Sequence, residues 1–174
     1  MAGLTGPFDA RFTPNWGSYV SQSAMASAAV FIVLVALRQQ NLVVAASLAA
    51  TAFTVFTMPS SVTASSRNVI GGHIVGLVFG FLFALFPQEH ALAQDAIYAL
   101  AVGSAMFVMS ITNTEHPPAA GTALGVVIAG PNARIVLGVL VGVGLIAIVH
   151  RLLRRFLRDL IAAPELSALS QEGE

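Results

Sequence analysis

Two clusters of polar residues interrupt a chain that is otherwise strongly apolar. One runs from Arg67 to His73 with the sequence RNVIGGH, and the other runs from Glu115 to Pro118 with the sequence EHPP. Charged and imidazole side chains are costly inside a lipid bilayer, so those that occur within apolar segments are candidates for function. Both clusters stand where a helix is predicted to begin, and that position indicates a particular chemistry.

The start of a helix is a natural binding site for an anion. Its first N–H groups have no partner within the helix, and the aligned peptide dipoles place about half a positive charge there. Pro117 and Pro118 favour a helix start, because proline at the first position gives up no needed hydrogen bond. His116 beside Glu115 is also a candidate to exchange protons near neutral pH. The predicted anion-binding residues are Arg67, Asn68, His73, Asn113, Glu115, His116, Pro117 and Pro118.

Simpler roles stay open for two of these residues. His73 would also suit a core position in which the ring bonds a neighbouring carbonyl, and Arg67 would suit an anchor at the membrane surface. The four histidines show no i, i+4 pairing and the chain has no cysteine, so we expect neither a metal nor another cofactor. No serine lies in a nucleophile-elbow pattern, so we do not expect an enzyme.

The composition indicates a membrane protein. Of the 174 residues 56% are hydrophobic and 9% are charged, whereas a soluble domain carries about a quarter charged residues. The apolar runs are continuous rather than alternating, and lipid offers the backbone no hydrogen-bond partner, so the spanning segments are predicted to be helices. A net charge of zero argues against a nucleic acid partner.

Polar breaks divide the chain into six apolar segments, predicted at 18–37, 41–58, 68–86, 92–112, 117–130 and 135–150. A helix needs about 20 residues to cross the hydrocarbon layer. We therefore predict an all-α polytopic transmembrane bundle with four full spans and two short or re-entrant segments, the second and the fifth. Six crossings are the alternative. A weak internal echo, in which TAFTV at Thr51 matches TALGV at Thr122, favours a three-plus-three internal repeat.

Arginines indicate the orientation, since lysine is absent. Four of them follow the last span, namely Arg151, Arg154, Arg155 and Arg158. Basic residues favour the cytoplasmic side, so an even number of crossings places both termini in the cytoplasm, and a bacterial inner membrane is the expected location. We divide the chain into an interfacial segment (1–17), the bundle (18–150), a cytoplasmic basic amphipathic helix (151–163) and a flexible tail (164–174).

Glycines at a spacing of four residues are expected to mediate helix packing. Small residues let helices approach closely in lipid, where apolar side chains gain little by leaving the hydrocarbon. The expected structural glycines are Gly71, Gly72, Gly76, Gly80, Gly121, Gly125, Gly138 and Gly142. They also leave a homo-oligomer open.

The two polar clusters resemble the two signatures of the HPP family of integral membrane proteins, over roughly residues 16–158. The family's members are similar in being described with about four spans, and some plant and cyanobacterial members are regarded as nitrite carriers. The resemblance places the signature on Arg67, Asn68, Gly71, Gly72, His73, His116, Pro117 and Pro118. The sequence departs from the family at Glu115, where an apolar residue is expected, and we expect no CBS-like domain of the kind seen in some relatives after the last span.

Together, the residues and the resemblance predict a transporter or channel for a small inorganic anion, with nitrite as the first choice and proton coupling as an option. Its partners would be the anion and membrane lipids. The alternative is a membrane scaffold or assembly protein that packs through the glycine ridges, which are the helix faces formed by the glycines named above.

Overall fold

The computed structural model describes residues 12–37, 41–87 and 90–161, and these residues form helices and connecting turns with no strand. The helices are α1 (Phe12–Leu37), α2 (Leu42–Thr57), α3 (Ser66–Ala84), α4 (Ala91–Ile111), α5 (Pro118–Ala129) and α6 (Ala133–Leu153). Two short 3₁₀ turns, Val62–Ala64 and Arg154–Phe156, precede α3 and follow α6. The predicted all-α bundle is confirmed, and each predicted segment corresponds to one helix.

Residues with capping side chains set several of the helix starts. Asn41 accepts a hydrogen bond from the Val44 amide at the start of α2, and Ser65 accepts one from the Asn68 amide at the start of α3. Such caps satisfy amides that have no partner inside the helix. The helix α5 begins with proline, which fits a first turn, and it is followed by Gly130, whose φ of 74° suits glycine.

Four helices are long and apolar enough to cross a membrane, and two are short. The long ones are α1, α3, α4 and α6, with 19 to 26 residues each. By contrast, α2 has 16 residues and α5 has 12, so they extend for about 24 Å and about 18 Å. The four predicted long spans and two short helices are therefore present. The short helix is the second of the helices α1, α2 and α3, and also the second of α4, α5 and α6.

The short helices lie at the centre of the bundle. The helix α5 packs against α2, α3 and α4, while α2 packs against α1, α5 and α6. If α1, α2 and α3 correspond to α4, α5 and α6, the contacts of the first three helices match those of the last three. For example, α1 contacts α2 and α6, and α4 contacts α5 and α3. This pattern of neighbours is the one that a three-plus-three repeat predicts.

Glycines allow α3 to lie directly against the backbone of α5. A Cβ atom on Gly76 would be 2.5 Å from the Ala119 carbonyl oxygen, and one on Gly80 would be 2.7 Å from that of Ala123. Gly125 brings α5 equally close to α2, because a Cβ there would lie 2.6 Å from Val44. The other expected packing glycines lie near Thr114, His116 and Ser47, or are buried in α6: Gly71, Gly72, Gly121, Gly138 and Gly142.

The two ends of the described chain differ from the prediction. The helix α1 begins at Phe12 and has a non-helical residue at Asn15, so part of the predicted interfacial segment is helical. The predicted basic helix at 151–163 is shorter than expected within the described residues, because α6 ends at Leu153, a 3₁₀ turn follows at Arg154–Phe156 and the backbone is extended at Leu157. Residues 1–11 and 162–174, which contain the rest of these segments, lie outside the described residues.

Hydrogen bonds from distant helices explain the end of α6. The Gln22 side chain accepts from the Arg158 amide at 2.9 Å and donates to the Arg158 carbonyl at 2.8 Å. The Leu160 amide donates to the Thr57 carbonyl, and the Tyr19 hydroxyl donates to the Leu160 carbonyl, both at 2.8 Å. These bonds satisfy backbone groups that a helix would otherwise pair internally. The start of α1 and the end of α6 therefore meet at one end of the bundle, which we call the arginine end.

Candidate functional site

The first polar cluster connects the start of α3 to the loop before α5. Asn68 is only 3% exposed, and its side-chain amide donates to the Glu115 carbonyl at 3.0 Å. Its side-chain oxygen accepts from the Ser65 hydroxyl at 2.9 Å. Since Ser65 also caps α3, these bonds hold the two signature segments together at the point where each precedes a histidine.

His73 and His116 meet inside the bundle. They are 1% and 0% exposed, and their ring centroids are 5.2 Å apart. His73 lies about 10 Å along α3 from its first residue, while His116 stands just before α5. The absence of a side chain on Gly72 permits this approach, because a Cβ there would lie 2.8 Å from that of His116. The two predicted clusters therefore converge on one buried pair of imidazoles.

Two threonines bind the histidines from opposite sides. The Thr51 hydroxyl on α2 is 2.8 Å from His73 Nε2 and 3.1 Å from His116 Nε2. The Thr122 hydroxyl on α5 is 2.8 Å from the other ring nitrogen, His73 Nδ1. These threonines occupy matching positions of the internal sequence echo. The echo thus brings one hydroxyl from each half of the chain to the same imidazole.

Backbone carbonyls end this series of contacts on both sides. His116 Nδ1 lies 2.8 Å from the Thr63 carbonyl oxygen. At the other side, Thr122 lies 2.8 Å from the Ser47 hydroxyl, which donates to the Pro118 carbonyl at 2.6 Å. We call the resulting series the histidine–threonine chain, which runs in the order Thr63 carbonyl, His116, Thr51, His73, Thr122, Ser47 and Pro118 carbonyl.

A count of protons shows that this chain is incomplete when both rings are neutral. Six hydrogen-bond contacts join the two terminal carbonyls, and a carbonyl can only accept. Each neutral imidazole has one N–H and each hydroxyl has one O–H, so the two rings and three hydroxyls provide five protons for the six contacts. One contact then joins two acceptors.

A single added proton completes the chain, and the proton can reside on either ring. With the charge on His116, the Thr51 hydroxyl donates to His73. With the charge on His73, it donates to His116. Thr51 also lies 3.0 Å from the Ser47 carbonyl, but that contact competes for the same hydroxyl proton and adds none. The geometry can therefore hold one proton and pass it between two imidazoles through one hydroxyl.

Apart from Pro118, whose carbonyl ends the chain, the other predicted residues surround it rather than belong to it. Arg67 is exposed and donates to the Thr112 carbonyl at 3.1 Å, so its cation lies at the end of α4, where a positive charge is favourable. Asn113 has a φ of 50° in the turn after α4. Glu115 contributes its carbonyl, and Pro117 and Pro118 form the start of α5.

Thr51, Thr122, Ser47 and Thr63 are site residues that the sequence reasoning missed. Serine and threonine are common packing residues in membrane helices, so their type alone does not identify a site. The internal echo was the available signal for Thr51 and Thr122. Within the described ranges, no group of three or more His, Asp or Glu residues is placed to hold a metal ion.

The fold and the site define a polytopic helical membrane protein with a polar chain buried at the centre of its bundle. The family described as HPP, transmembrane region, matches residues 13–160. The chain belongs to this family, and the resemblance seen in its two signatures is confirmed.

Two curated relatives are each similar to about half of the chain. Both are described only as transmembrane proteins, and both are from Dictyostelium discoideum. One is 36% identical over 89 residues and the other is 32% identical over 90. The matches cover 51% and 52% of this chain, but only 31% and 29% of the relatives' own lengths. No solved structure matches significantly.

Proposed function

We propose that the protein carries a small monovalent inorganic anion across the membrane together with one proton, and that nitrite is the first anion to test. The observation that carries this proposal is the histidine–threonine chain, which lies buried in the bundle and can accept one proton. Polar groups at such a depth are expensive and therefore favour a role in transport.

The added proton and an anion would stabilise each other. A proton on the pair creates a positive charge in a site that excludes water, and such a charge is unfavourable unless a negative charge accompanies it. An anion that enters without a proton would in turn find only neutral rings. Binding of either partner therefore favours binding of the other, which is the thermodynamic requirement for coupled transport.

The position of the short helices supports a carrier. The chain takes Thr51 and Ser47 from α2 and Thr122 from α5, so it joins the two helices that are shorter than a full span. Interrupted or short helices around a central site are typical of secondary transporters. All three hydroxyl-bearing residues are buried, so the helices must separate to admit an anion. Family members that are regarded as nitrite carriers point to the same substrate.

We test this function with purified protein in liposomes. Nitrite uptake and acidification of the interior are recorded together, and protein-free vesicles measure passive entry of nitrous acid. We expect Thr51→Val to lower protein-dependent uptake at least about tenfold, since it removes the hydroxyl that joins the two rings. Thr54→Val is the matched control on α2, because that hydroxyl donates only to its own helix, to the Ala50 carbonyl.

The liposome test separates three outcomes. Uptake that depends on Thr51 but not on Thr54 supports the proposal. Equal loss in both variants would indicate general damage to α2 and contradict a role for the chain. If the unaltered protein passes no nitrite, nitrate, formate or chloride, the transport function itself is wrong.

Assembly through the glycine ridges has less support. Gly72, Gly76 and Gly80 lie against His116 and α5 of the same chain, so this ridge is occupied internally. A homo-oligomer stays a prediction that would use another surface.

We propose that the arginine end faces the cytoplasm, because Arg151 and Arg154 lie at the end of α6. We assign the protein no catalytic step.

A further inference from the structure

A second polar site lies at the arginine end, and its lining residues do not belong to the histidine–threonine chain. It is a cavity of about 430 Å³ between the loop before α3 and the end of α6. Its lining includes His150, Arg151, Arg154, Ser60, Ser61 and Ser66. None of these residues takes part in the histidine–threonine chain.

His150 shows that the cavity is suited to a polar ligand. The side chain is 3% exposed, and its ring forms a hydrogen bond with the Pro59 backbone. One ring nitrogen, Nε2, is buried and has no hydrogen-bond partner among the described residues. Buried polar atoms are nearly always paired, so an unpaired nitrogen on a residue that lines a cavity indicates a missing partner. A protonated ring would donate to an anionic oxygen, and a neutral ring would accept from a P–OH group.

The surroundings of His150 favour an anion. Arg151 and Arg154 are exposed cations at the end of α6 and line the cavity. The first turn of α3 adds amides that have no acceptor within the helix, beginning at Ser66. Asp159 accepts a hydrogen bond from the Ser60 amide at 3.0 Å and is a neighbouring carboxylate. The positive charge of the two arginines exceeds the negative charge of this one carboxylate.

We propose that this cavity binds a phosphate group. Its volume is far larger than a three-atom anion such as nitrite requires, and the guanidinium groups of arginine match phosphate oxygens in geometry as well as charge. The cavity lies where the last span ends, which is the level of lipid headgroups. A headgroup phosphate and free inorganic phosphate share the same chemistry, and the experiment separates them.

The test uses the purified full-length protein in detergent and two kinds of probe. Native mass spectrometry measures binding of phosphatidic acid, with diacylglycerol as the control lipid that lacks only the phosphate. Titration calorimetry measures binding of inorganic phosphate. We expect Arg154→Ala to weaken binding about tenfold, the loss typical of one charge-assisted hydrogen bond. Arg155→Ala is the matched control, because that guanidinium lies over the Phe156 ring, 4.6 Å from its centroid, and does not line the cavity.

Each result decides one question. Binding of phosphatidic acid that Arg154→Ala weakens and Arg155→Ala leaves within about twofold supports the site and identifies a lipid as the source. The same discrimination with inorganic phosphate supports the site and identifies a free anion. Absence of phosphate-dependent binding overturns the proposal, and so does an equal loss in both variants, since that result would reflect net charge alone. None of these results depends on nitrite transport.

Discussion

The two places where histidines are buried in this protein differ in whether their nitrogens have partners. Around His73 and His116, every ring nitrogen contacts a hydroxyl or a carbonyl between 2.8 and 3.1 Å away. At His150, which lines a cavity, one ring nitrogen has no partner in the described part of the chain. In the first site the polar groups contact one another and lack only one proton, whereas the second site requires an external group as a hydrogen-bond partner.

This difference assigns the two sites different kinds of ligand. A series of hydrogen bonds that lacks one proton can gain and pass on that proton without much movement of its side chains. A cavity with a free imidazole nitrogen and two arginines can admit a larger anion from one end of the bundle. Substitutions that affect one site and spare the other would therefore establish the comparison, and substitutions that affect both would remove it.

The largest effect is expected at Gly76, where α3 and α5 touch. A valine there would place atoms within 2.5 Å of the Ala119 carbonyl, so the helices must separate and the first site loses its geometry. We expect Gly76→Val to lower the free energy of unfolding by about 3 kcal/mol. The control is Gly103→Val on α4, because nothing lies within 4 Å of a Cβ at that position. Unfolding in mixed detergent micelles measures both, and equal stability of the two variants would contradict the close contact.

The sequence allowed the helices and the two histidines of the first site to be predicted. Long apolar runs separated by polar breaks define six segments, and each becomes a helix whose ends lie within a few residues of the prediction, apart from the earlier start of α1. The RNVIGGH and EHPP clusters both contribute to the buried pair, since intramembrane histidines are costly and so informative. The residues that contact those histidines were harder to recognise from the sequence. Thr51 and Thr122 are ordinary residues for a membrane helix, and only the contact between helices gives them a role.

The end of α6 shows why local periodicity was insufficient. Arg151, Arg154, Arg155 and Arg158 have helical spacing, and that spacing predicted a continuous amphipathic helix. The chain beyond the end of α6 is held by bonds from Gln22, which is 136 residues away along the chain from Arg158. A competitor at that separation has no local signal in the sequence. The cavity beside His150 could not be predicted from the sequence for the same reason, because its lining residues come from two segments far apart in the chain.

An intermediate effect is expected for Thr122 in the first site. Replacement by valine keeps the shape but leaves His73 Nδ1 without its partner and removes the contact with the Ser47 hydroxyl. We expect Thr122→Val to lower the free energy of unfolding by about 2 kcal/mol, the cost of an unsatisfied buried polar group. Thr57→Val is the control, because its exposed hydroxyl bonds only the Phe53 carbonyl in its own helix. The same detergent unfolding measurement applies, and a loss at Thr57 as large as that at Thr122 would remove the distinction.

The smallest effect on stability is expected at His150, and it is the sharpest test of the comparison. His150→Leu removes a nitrogen that has no partner in the described structure, and this gain offsets the loss of the hydrogen bond to Pro59. We therefore expect the free energy of unfolding to change by less than about 1 kcal/mol, while phosphate binding falls about tenfold. Detergent unfolding and calorimetry on the same preparation measure the two quantities. A loss of stability as large as that of Thr122→Val would mean that His150 is a structural residue, and the two sites would then be alike.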